Sequence, residues 1–362
     1  MSKLFESTEI NGMRLANRFV RSATWEGMAT EDGAPTPALI ETMEDLTKGG
    51  VGLIISSHAY VSPEGQAGVK QLGIHNDELI PGLSHMIDSV HQLGGKIVMQ
   101  ISHAGMFASK KLIGCDPLVV SKIDESDGRQ ITGQDVTDLI VSFANGARRA
   151  KEAGFDGIQV HSAHGYLLSQ FLSPAFNKRR DQYGGDIYNR VRIHLEIYQA
   201  IRKAVGETYP VIIKLNGQDF IKGGMSLEDS LQVGAILAEA GFDAIELSGG
   251  MLTGGKLAPS RPGKASEDVT PYYIDEAREF KKRFHIPIIL VGGIRSLSVS
   301  EMIVKDGIAD YISMSRPFIK EPDLINRWKS GDSSRSECKS DNRCFRMGLS
   351  GNGISCDIKK ED

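Results

Sequence analysis

Eight times along this chain a short, nearly unbroken apolar run is followed by an amphipathic stretch. Such runs read as strands buried on both faces, and their alternation with helical stretches reads as repeated βα units around a parallel sheet. The strands are expected at 18–24 (RFVRSAT), 51–57 (VGLIISS), 96–102 (KIVMQIS), 156–162 (DGIQVHS), 211–216 (VIIKLN), 243–249 (DAIELSG), 287–293 (PIILVGG) and 310–315 (DYISMS). Helices are expected at 38–48, 79–93, 134–152, 188–205, 226–240, 272–283, 297–305 and 323–329. Several have a fitting start, such as Ser226 followed by Glu228 and Asp229.

Eight such units fit an α/β fold of the (β/α)8 TIM-barrel kind better than an open doubly wound sheet, which would show G-x-G-x-x-G after its first strand. No such glycine pattern follows the first strand here. The expected division is a barrel over residues 1–330 and an irregular tail over 331–362. The loops at 104–133, 165–187 and 250–271 are long and would lie on the C-terminal face, where barrels build their sites.

Composition narrows the partners. The chain has 42 Lys+Arg against 46 Asp+Glu, a formal charge of -4, and no long basic run. That leaves no electrostatic footprint for nucleic acid or a membrane surface, so small molecules are expected. No apolar stretch approaches a membrane span or a secretory leader, which makes the cytoplasm the default address. Four cysteines, Cys115, Cys338, Cys344 and Cys356, are too few for a disulfide scaffold in 362 residues.

The chemistry-bearing residues gather at strand ends. His161, His164 and Tyr166 follow the fourth strand within six residues, as expected where an oxyanion is held and a proton delivered. At the ends of strands seven and eight, VGGIRS and ISMSRPF offer Gly292, Gly293, Arg295 and Arg316 as a phosphate site. Taken singly, those glycines need only be tight turns; as a pair at these two strands they favour phosphate. Lys214 stands inside an apolar strand and requires either an anionic ligand or a structural carboxylate such as Glu246. Gln100 poses the same question in neutral form. His58 and His103 end strands two and three, but without H-x-H or a carboxylate cluster a metal site is the minority reading.

The block HSAHGYLLSQFLSP, followed by NKRRDQYGG and NR, resembles the old yellow enzyme family of flavin-dependent ene reductases. NRFV, QISHAG, VGGI and SRPF fit its other motifs, and the similarity runs from about Phe5 to Trp328. The resemblance implies a (β/α)8 barrel that holds FMN noncovalently and passes hydride from NADH or NADPH through the flavin to an enone- or enal-type substrate. It places His161 and His164 on the substrate carbonyl and Tyr166 as proton donor to the α-carbon. It places Gln100 at the flavin pyrimidine edge, Lys214 near N1 and O2, and Ser22, Ala23, Thr24, Trp25 and His58 against the flavin, largely through backbone. Gly292, Gly293, Ser315 and Arg316 match the phosphate end, with Arg295 beside them. A homo-oligomer is compatible with the family.

Two departures stand out. Ala23, Thr24 and Trp25 replace the usual Pro-x-Thr or Pro-x-Cys, and Met106 stands where a basic residue often follows HAG. Longer relatives carry four cluster-binding cysteines after the barrel; here Asp341 stands in place of one, so the tail reads as a remnant without a cluster. Two other classes stay open at this point: a flavin-free or metal-assisted lyase or isomerase acting on a phosphorylated substrate, and a flavin-binding sensor in which Trp25 blocks the substrate face.

Overall fold

In the computed structural model, which describes residues 2–124, 128–263 and 270–356, eight parallel strands close into one barrel. We number them β1 (Phe19–Arg21), β2 (Leu53–Tyr60), β3 (Ile97–Ser102), β4 (Gly157–Ser162), β5 (Val211–Asn216), β6 (Ala244–Ser248), β7 (Ile288–Val291) and β8 (Tyr311–Met314). Consecutive strands are neighbours and β8 pairs with β1, so no sheet edge is left within the barrel. Each expected strand is present, as is each expected helix between them.

The helices begin where the sequence provides caps. Thr132 with Asp135 and Ser226 with Asp229 form capping boxes, and the Thr36 and Asp186 side chains accept from Leu39 and Asn189 amides. The long helices Gly133–Glu152 and Ile187–Val205 pack side by side outside β3 and β4.

Alternation along the strands divides the barrel interior into two levels. Val20, Leu53, Ile55, Val98, Ile212, Ala244, Ile289 and Tyr311 fill the lower level. A hairpin, Thr8–Ile10 with Met13–Leu15, plugs that end by burying Ile10, Met13 and Leu15 against them. Two residues further along the same strands come Ser22, Gln100, Lys214, Glu246 and Ser313, all buried and all polar. The apolar floor therefore supplies the packing, and the level above it carries the chemistry.

Among the described residues, the segment after 330 has one short helix, Arg343–Leu349. The expected loops at 104–133 and 250–271 and the expected tail include residues 125–127, 264–269 and 357–362, which lie outside the described residues.

Candidate active site

Above the polar level lies a cleft of about 220 Å³, partly open to solvent, at the C-terminal ends of the strands. Every side chain singled out from the sequence as catalytic or cofactor-binding lines it, from Ser22–Trp25 on one side to Arg316 on the other. His103 does not: it is buried beneath the rim, with its Nδ1 accepting from the Gly105 amide. Reasoning from sequence missed Ser248, Tyr272, Tyr273 and Phe345, which also line the cleft. Tyr272 and Tyr273 sit at the start of a helix, and no periodic signal marked them as inward-facing.

The floor of the cleft is set by strand register. Lys214 on β5 lies level with His161 on β4 and Glu246 on β6. Its Nζ is 3.0 Å from Glu246 Oε2 and donates to Ser22 Oγ at 2.8 Å. Glu246 also accepts from Ser22 and Ser313 hydroxyls at 2.7 Å and from Gln159 Nε2 at 3.0 Å. Burial, the largest influence, pushes the Glu246 carboxyl up, but Lys214 and these donors outweigh it and hold it below its ordinary value. Of the two partners left open for Lys214, the structural carboxylate is therefore present, and the lysine still faces the cleft. Gln100 Nε2 donates to Gln159 Oε1 at 2.6 Å, so its amide belongs to the same network.

The histidine–tyrosine group spans the end of β4, where His161 lies, and the turn after it, which carries His164 and Tyr166. His164 adopts φ +67°, a left-handed conformation uncommon for a residue with a side chain. Its amide donates to Asn216 Oδ1 at 3.1 Å, and its Nε2 lies 2.8 Å from Ser248 Oγ, which pins the turn. Ring centroids are 5.3 Å apart for His161 and His164 and 4.7 Å for His161 and Tyr166. Tyr166 Oη lies 3.3 Å from His58 Nε2. Burial lowers the pKa of His58 to about 4, helped by the Lys214 charge. His161 and His164 are driven well below the usual imidazole range, by burial first and then by neighbouring histidines and Lys214. Burial pushes the Tyr166 phenol up to about 12. At neutral pH the group is therefore two neutral imidazoles beside a protonated phenol.

The far end is a cationic cradle. Gly292 and Gly293 both have positive φ, +111° and +80°, and a Cβ on either would come within 2.9 Å of the Tyr273 or Tyr272 ring. Arg261 lies over the rings of Phe220, Tyr272 and Tyr273, 5.3, 4.7 and 5.2 Å from their centroids. The tail closes over this end. Arg316 Nη1 donates to Asn342 Oδ1 at 2.7 Å, and Arg295 Nη2 donates to Ser340 Oγ.

Three features fit a polar, phosphate-bearing cofactor. His161 Nδ1, Arg295 Nε and Arg261 Nε and Nη2 are buried without a hydrogen-bond partner. The glycine pair, at positive φ after β7, lines the cleft with bare backbone. The clustered arginines supply charge for an anion. Fold and site together define an α/β barrel whose C-terminal cleft suits a phosphate-bearing cofactor.

The NADH:flavin oxidoreductase / NADH oxidase family model matches residues 3–334, and the chain belongs to that family, as the old yellow enzyme motifs indicated. With the family comes its cofactor, FMN, with NAD(P)H as hydride donor. The chain is 36% identical to an NADH oxidase of Thermoanaerobacter brockii over 336 residues, covering 91% of this chain and 51% of that protein. A 2-naphthoyl-CoA reductase structure superposes with a TM-score of 0.89 at 25% identity, covering 98% of this chain and 56% of that one. An old yellow enzyme homologue from Zymomonas mobilis superposes with a TM-score of 0.78 at 24% identity, covering 93% and 96%. The chain spans about half the length of the first curated relatives it matches. Among the described residues no helix is long and apolar enough to cross a membrane, and no group of three His, Cys, Asp or Glu is placed to hold a metal.

Proposed function

We propose that this chain reduces the C=C bond of α,β-unsaturated carbonyl compounds, with His161 and His164 holding the carbonyl oxygen and Tyr166 supplying the proton. The observation that carries this reading is the pair of neutral imidazoles beside a protonated phenol at the end of β4 and on the pinned turn after it. When bound, FMN supplies a hydride equivalent to the substrate β-carbon. As charge builds on the carbonyl oxygen, an imidazole N–H donor stabilises it without solvent reorganisation. His161 suits this role because its ring lines the cleft beside His164 and Tyr166. Tyr166 delivers its proton to the α-carbon, and His58, 3.3 Å from its oxygen, orients the hydroxyl.

The remaining assignments follow the cleft. Gln100 and Lys214 would meet the flavin ring from below, Ser22–Trp25 and His58 would flank it, and Gly292, Gly293, Arg295, Ser315 and Arg316 would hold its phosphate. Residues 1–330 would act as the FMN-binding barrel, with the tail from 331 packed over the phosphate end through Ser340 and Asn342. The test is Tyr166→Phe in stopped flow. Alkene reduction should slow far more than flavin reduction by the nicotinamide, and equal losses in both half-reactions would remove Tyr166 from its role.

A further inference from the structure

A second cavity, of about 540 Å³, opens off the cleft and shares Trp25, His58 and Tyr166 with it. It begins where Tyr166 meets His58 and runs out between Val69, Leu112 and Leu349 of the tail helix. Val69 and Leu349 are 43% and 74% exposed, so the mouth presents large apolar side chains to solvent. Such a cavity, apolar with few polar groups, has the size and character of a small-molecule site.

Trp25 is the fixed partition between the two spaces. Its Nε1 donates to Val69 O at 3.3 Å, and a Cβ on Gly27 or Gly348 would come within 3.0 or 2.9 Å of the indole. Bare backbone therefore packs against the ring, and the flat indole stands as a wall rather than a plug.

The charge pattern at the mouth is one-sided. Among the described residues no carboxylate lines the cavity, and the cation that does is Lys111. The adjacent Lys110 is paired with Asp116 at 2.6 Å, whereas Lys111 makes no ion pair among the described residues. An unpaired ammonium at the edge of an apolar space attracts an anion more strongly than one in open water.

We propose that this lobe holds the non-reacting part of the acceptor, and that the acceptor is an aryl-substituted α,β-unsaturated carbonyl compound whose far end carries an anionic group received by Lys111. This rests on the reductase reading above. It adds no bond-making step: the β-carbon receives the hydride equivalent and the α-carbon the Tyr166 proton, while the lobe selects which compound is placed there.

The test compares 2-cyclohexenone, cinnamaldehyde and 4-carboxycinnamaldehyde as acceptors for the FMN-loaded protein. The carboxylate should be preferred over cinnamaldehyde about fivefold in kcat/KM, the size of effect a single rim charge gives. Lys111→Glu should lower that ratio about tenfold or more, and added salt should shrink it in the unaltered protein. Leu112→Trp, which fills the lobe, should lower kcat/KM for both aryl acceptors about tenfold relative to cyclohexenone. An unchanged carboxylate ratio in Lys111→Glu overturns the anionic specificity, and an unchanged aryl ratio in Leu112→Trp overturns the lobe itself. Should none of the three acceptors oxidise the reduced protein, the reductase reading fails on its own. Equilibrium dialysis of 4-phenylbutyrate against 4-phenylbutanol then still decides the lobe: tighter binding of the anion, lost in Lys111→Glu, supports it, and equal binding overturns it.

Discussion

The floor and the far rim of the cleft are built in opposite ways. The floor residues Ser22, Gln100, Lys214, Glu246 and Ser313 come from strands or their ends, and hydrogen-bonded register fixes their neighbours. The far rim is assembled from loop and tail: Arg261, Tyr272, Ser340 and Asn342 meet across sequence gaps through side chains and loop backbone. A floor made of register is rigid and intolerant of an unbalanced charge. A rim made of cross-links is adjustable and loses contacts one at a time.

The sharpest way to break this contrast is Glu246→Gln. Removing one partner of a buried ion pair leaves Lys214 uncompensated, and a loss of about 3–5 kcal/mol of folding stability is expected. Denaturant melts should show it, and a Lys214→Met/Glu246→Met double variant should recover most of it. If Glu246→Gln costs no more than a surface change, the floor is not the rigid region described.

Tyr166→Phe comes next, with an expected fall of about 100-fold or more in the alkene half-reaction. It falls on the turn between floor and rim, so its folding stability should change little by the same melts.

A pH titration tests two histidines outside the cleft: His103, just past β3, and His194 on the helix Ile187–Val205, whose Nε2 lies 2.7 Å from Ser162 Oγ. His103 and His194 are buried, and burial lowers each to about 4 from the ordinary 6.5. Between those values the unfolded chain binds more protons than the folded one, so stability falls as pH drops. From pH 6.5 to 5.5 the loss should be about 1 kcal/mol per imidazole, measured as a shift in the denaturant midpoint. A stability that rises over that interval would contradict the buried neutral assignment.

Smallest is Asn342→Ala at the rim. Arg316 loses its 2.7 Å acceptor but keeps the Arg261 carbonyl, and the part-buried Ser260 contacts of Asn342 go with it, so stability should fall by about 1 kcal/mol. FMN should dissociate several-fold more readily, read by fluorescence on dilution. If FMN retention is unaffected, the tail does not support the phosphate end.

Much of the barrel was legible because its signals are local. A strand buried on both faces announces itself in six residues, and caps such as Thr132 with Asp135 mark helix starts within four. The N-terminal hairpin was not read from the sequence: Asn11–Gly12 is a turn signal, but the three-residue strands beside it are too short to register as a run. The tail helix had no such signature, since only Cys344 and Gly348 in it are buried.

The sequence by itself determined the order of strands and helices and the placing of His161, His164, Tyr166 and the glycine pair at strand ends, because periodicity and turn chemistry act over a few residues. Only the tertiary structure decided that Lys214 finds Glu246, that three aromatic rings gather beneath Arg261, and that Asn342 reaches Arg316. Those pairings depend on barrel register and loop packing, which bring together groups that no local pattern in the chain connects.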